Sequence, residues 1–120
     1  MRDKVQRTSI FFLSRASDFR EAVWMPEVDV YRRPTGWLVK CDLAGIRAED
    51  VAISLQGSNL SICGIRRDPM VEEGWEHHSM EIPYGRFERS IALPEGLEEA
   101  RISAHYRDGM LLVRVREAIR

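Results

Sequence analysis

The chain has 120 residues, 44% of them hydrophobic and 31% charged, with a net charge of −1. That length builds one core rather than several, and so even a charge balance gives no basic field for a nucleic-acid or anionic-membrane partner. The longest apolar run near the start, Ile10-Phe11-Phe12-Leu13, is too short for a signal-peptide core or a membrane span. The cytoplasm is therefore the expected compartment, and the two cysteines are expected to stay reduced there.

Residues 1–25 differ in character from the rest. Val5, Phe12, Ala16, Phe19 and Val23 recur at spacings near three, four and seven, the period of a helical stripe. An arm this short cannot bury its stripe alone. It is expected to be a docking helix or a partly disordered sticky segment, packed on its own domain, on a second copy or on a foreign chain.

From Pro26 the period changes to two. Val28 and Val30 alternate with Asp29 and Tyr31, a Pro34-Thr35-Gly36 turn follows, and Trp37, Val39, Cys41 and Leu43 share one face of the next strand. Further strands are expected at 51–55, 60–62, 86–93, 102–106 and 110–115. Gln56-Gly57-Ser58-Asn59 turns one pair, and Asp108-Gly109 supplies the positive φ of a two-residue hairpin for another. Short strands punctuated by turns, with no long helical pattern between them, predict an all-β antiparallel sandwich of immunoglobulin-like architecture over 26–116. Cys41 lies on the apolar face of its strand, whereas Cys63 lies opposite Leu60 and Ile62, so the two are poorly placed for a bridge.

The stretch 66–83 is longer than ordinary hairpin loops. Asp68, Glu72, Glu73, Glu76 and Glu81 make it acidic and exposed, yet it carries Trp75, Met80 and Ile82, which a purely solvated loop does not favour. Anchored aromatics in a long loop point to a binding element.

Two blocks give the sandwich a family likeness. Tyr84-Gly85-Arg86-Phe87-Glu88-Arg89 runs into Leu93-Pro94, and Ala104-His105-Tyr106-Arg107-Asp108-Gly109-Met110-Leu111 follows. They match G-x-F-x-R-x-(aromatic or aliphatic)-x-L-P and A-x-x-x-x-G-x-L, and in this order the chain resembles the α-crystallin domain of the bacterial-type small heat-shock proteins. The opening Pro26-Glu27-Val28-Asp29-Val30-Tyr31 and Asp42-Leu43-Ala44-Gly45-Ile46 fit as well, although the family usually has Pro where Ala44 stands. The resemblance implies an ATP-independent holdase that binds partly unfolded clients, with the apolar arm residues Ile10, Phe11, Phe12, Leu13 and Phe19 as the capture surface. It implies a homodimer in which a strand near 75–79 crosses to the partner, placing Trp75, His77, Met80 and Arg89 at the dimer interface. It also implies a groove formed by Val51, Ile53, Leu55, Ile102, Ala104 and Tyr106 that takes an aliphatic tail segment of a neighbouring copy. After 116 this chain reads Glu117-Ala118-Ile119-Arg120 with a single Ile, so tail-driven cages are not expected; dimers or small homo-oligomers joined by arms are.

Arg89 shares its strand face with Phe87 and Ile91, so its charge is expected to be paired, by an ion pair above all. No enzyme, cofactor or metal is expected. There is no glycine-rich phosphate loop and no G-x-S-x-G elbow, and His77, His78 and His105 lack further ligands at metal spacing. The competing reading is a p23-like co-chaperone adaptor, a related sandwich that docks on one defined partner instead of on unfolded clients.

Overall fold

The computed structural model describes residues 6–7, 23–68, 72–94 and 99–117, the first pair through their backbone alone. Among these residues eight strands appear in chain order: β1 (Gln6–Arg7), β2 (Val28–Arg33), β3 (Gly36–Asp42), β4 (Val51–Gln56), β5 (Asn59–Arg66), β6 (Gly85–Ala92), β7 (Arg101–Arg107) and β8 (Met110–Arg116), with a 3-10 turn at Ala48–Asp50. They form a five-stranded sheet in the order β1-β7-β8-β3-β2 and a three-stranded sheet in the order β4-β5-β6. Every strand pair is antiparallel. The sandwich expected from the period-two segments is therefore present, and no helix among the described residues is long and apolar enough to cross a membrane.

The alternation does the sorting. Val39 and Cys41 on β3, Leu60 and Ile62 on β5, Phe87 and Ile91 on β6, and Leu111, Val113 and Val115 on β8 are buried between the sheets. Asp108 and Gly109 both take positive φ, 53° and 80°, as the β7–β8 hairpin requires. Gly64 is demanded by crowding: a Cβ there would run into the Asp50 carbonyl and the Phe87 ring.

Two ties fix how the sheets overlie. Trp24 forms a parallel bridge to Phe87, and the Arg89 guanidinium donates to the Pro26 carbonyl at 3.1 Å. The chain just before β2 is thus held against β6, which leaves β4 and β7 together at the opposite side of the sandwich.

Candidate functional site: two sheet edges and an acidic loop

On that opposite side, β4 is a terminal strand among the described residues, paired with β5. Its Val51, Ile53 and Leu55 are half-buried against the core, and so are Ile102 and Tyr106 of β7, with Ala104 buried between them. The six groove residues expected from the resemblance lie on β4 and on β7, which is flanked by β1 and β8. Tyr106 is held rigidly. Its hydroxyl donates to the Leu43 carbonyl at 2.6 Å and accepts from the Ile46 amide at 3.4 Å, spanning the bend after β3. One feature was not foreseen: Gln6 and Arg7 are extended and pair with Ala104 and Ser103, so this pair of residues flanks β7. The helical stripe does not include them as helix, and Ile10, Phe11, Phe12, Leu13 and Phe19 lie outside the described residues.

The acidic loop stands away from the domain. Trp75, Met80 and Ile82 are 75%, 55% and 61% exposed, and His77 is exposed as well. Trp75 touches its own loop through an indole N–H that donates to Glu72 at 3.1 Å. No strand occurs between 72 and 84 in the single chain, so an exchanged strand would form only against a partner. The loop's root is firmly tied. Arg66 donates to the Ala44 carbonyl at 3.1 Å and to the Pro83 carbonyl at 2.9 Å, and its guanidinium lies 4.4 Å from the Trp24 ring centre. Arg67 grips both oxygens of Asp50 at 2.9 and 3.1 Å, which holds that carboxyl below its usual range.

Arg89 corrects an expectation. It shares the face of Phe87 and Ile91, but its partner is a main-chain carbonyl and no carboxylate pairs with it among the described residues. A half-buried guanidinium needs an acceptor, and a carbonyl serves without the desolvation cost of a second charge. Sequence reasoning also missed Trp24, placed in the arm by its neighbours. It exchanges backbone hydrogen bonds with Arg86 and Glu88 at 3.1 Å each, donates its indole N–H to the Gly85 carbonyl, and sets its ring 5.3 Å from that of Phe87 at a tilt of 51°. The signal available was the Trp itself, since a large aromatic so close to a strand is more often packed than free.

Both cysteines are free. Burial pushes the Cys41 thiol up to about 12, with nearby Arg89 opposing the shift and Asp42 adding to it. Cys63 is raised too, by burial and then by Glu88. Neither is a reactive thiolate at neutral pH. Among the described residues no group of three or more His, Cys, Asp or Glu side chains is placed to hold a metal.

Residues 29–120 match the Hsp20/alpha crystallin family. The chain is 28% identical over 105 residues to small heat shock protein C2 of Rickettsia felis, covering 88% of this chain and 68% of that protein. It is 32% identical over 92 residues to a probable 15 kDa heat shock protein of Leptospira interrogans, covering 77% and 69%. Other relatives are longer: the chain spans 63% of small heat shock protein C4 of Rickettsia felis and 52% of spore protein SP21 of Stigmatella aurantiaca. Among solved structures, hspA from Xanthomonas axonopodis superposes with a TM-score of 0.66 at 30% identity, covering 80% of this chain and 96% of that one. Heat shock protein 16.0 from Schizosaccharomyces pombe gives 0.70 at 25% identity, covering 82% and 89%.

Proposed function

Because the chain belongs to the Hsp20/alpha crystallin family, a family of small heat-shock chaperones, we propose that it is an ATP-independent holdase of the cytoplasm. It binds partly unfolded proteins under stress and keeps them from aggregating. The observation that carries the reading is the β4 edge, terminal among the described residues and lined by Val51, Ile53 and Leu55. A terminal strand presents unpaired backbone donors and acceptors, and an apolar margin beside them accepts extended chain with little regard to sequence. The arm residues Ile10, Phe11, Phe12, Leu13 and Phe19 add a second capture surface, each large side chain contributing about 1.5–3 kcal/mol when covered. Lack of fixed geometry in such contacts favours many clients over one.

The working unit in this reading is a homodimer. The loop's exposed Trp75 and Met80 find cover when the segment pairs with the outer edge of a partner's β2, the terminal strand of the larger sheet. Arg89 holds the chain entering that strand in place through Pro26.

The test is aggregation of an unrelated protein on heating, followed by light scattering without ATP. The full chain should suppress it at a near-stoichiometric ratio. Deleting residues 1–20, which spares Trp24 and its bridge to Phe87, should leave the sandwich folded and weaken protection severalfold. Equal protection by the truncated chain would assign capture to β4 and β7 alone, and no protection by the full chain would defeat the holdase reading.

A further inference from the structure

Cross-strand register gathers a cluster that net charge conceals. On the outer face of the five-stranded sheet, the alternation of β8 turns Arg114 and Arg116 outward. Pairing places Arg116 opposite Gly36, Gly36 opposite Arg33, and Arg101 on the other side of Arg116. The position between Arg33 and Arg116 therefore has no side chain, and it can have none, because a Cβ on Gly36 would run into the Val115 carbonyl. A hollow of about 270 Å³ results, lined by Arg32, Arg33, Gly36, Trp37, Arg114 and Arg116 among others. Arg33 and Arg116 stand two strands apart, about 10 Å at the backbone, within converging reach of two long side chains.

Like charges across a sheet repel, and among the described residues no carboxylate pairs with Arg33, Arg114 or Arg116. Trp37 and Arg32, whose ring and guanidinium lie 4.8 Å apart, belong to the inward-facing register of their strands, which leaves the outer face to Arg33, Arg114 and Arg116.

We propose that this hollow is an oxyanion site that binds the phosphate chain of a small di- or triphosphate. Guanidinium forks match phosphate oxygens two at a time. Several cations around one cavity suit a ligand with several negative charges, where a lone carboxylate would neutralise only one of them. The volume is at the low end for ligand pockets, which fits a short phosphate chain better than a macromolecule. Binding needs no hydrolysis, and none is implied.

The site is tested by calorimetric titration of the full chain with inorganic tripolyphosphate, with a nucleoside triphosphate, and with the matching nucleoside. Both phosphates are expected to bind with similar affinity and the nucleoside not at all. The double variant Arg33→Ala/Arg116→Ala, at exposed positions, should weaken phosphate binding at least tenfold while its circular dichroism stays unchanged. Arg47→Ala, just before the 3-10 turn that follows β3, should have no effect. Absence of phosphate binding overturns the proposal. So does equal binding by the nucleoside, which would mean that the base is recognised, or equal loss in the Arg47 variant, which would mean diffuse attraction.

Discussion

Tyr106 shows how one atom secures a bend. Its hydroxyl is both donor to Leu43 and acceptor from Ile46, whose side chains are buried. Tyr106→Phe keeps the ring and strands both backbone groups, so unfolding in urea should report a loss of about 1–3 kcal/mol. Cys41 makes a pH-dependent statement. Its thiol titrates near 9 when unfolded and at about 12 when folded, so the folded state holds the proton more tightly. The contribution is complete below 9 and disappears as pH rises toward 12. Denaturation midpoints should fall over that interval in the wild type, and the slope should be shallower in Cys41→Val. Both residues' faces were legible from alternation alone. Their partners were not, because Leu43 and Ile46 precede Tyr106 by some sixty positions, a separation that no local pattern spans. Arg89 is the same case: its face was readable, while the Pro26 carbonyl lies 63 residues back.

At the scale of elements, the strands were readable because period two, Asp108-Gly109 and Gly57 mark their own boundaries. Trp24 escaped because a helical count through Val23 carried it into the arm, while its true partners are on β6. The arginine hollow escaped for a stronger reason. It joins 33, 36 and 114–116, which meet only through the register of three strands. The loop is the element whose behaviour is most open to test. In the proposed dimer, Trp75→Ser with Met80→Asp removes apolar cover from both copies without touching the core. Light scattering should show dimers becoming monomers at micromolar concentration, with thermal unfolding little changed; a dimer that persists counts against the exchanged strand.

For the whole molecule, the uneven charge matters more than the net value of −1. Carboxylates concentrate in the loop and cations on one sheet face, so copies of the chain meet in preferred orientations. The proposed arm-joined assemblies follow from a separate, apolar source. Mass measured across a concentration series should rise in the full chain, and deletion of residues 1–20 should flatten the curve at the dimer. A truncated chain that still grows with concentration would place the joining contact in the domain itself.

The β4 edge also has a length. Six residues between the 3-10 turn and the Gly57 turn give a margin about 20 Å long, closed at both ends by chain that bends away. In the proposed holdase such a margin acts as a ruler. On that proposal it registers five or six residues of an extended segment and then stops, so a long unfolded protein is gripped at scattered short stretches instead of being zipped into a continuous sheet, and the stretches between grips stay free for refolding. A longer edge would hold more tightly and would also seed fibrils; brevity here separates safekeeping from aggregation.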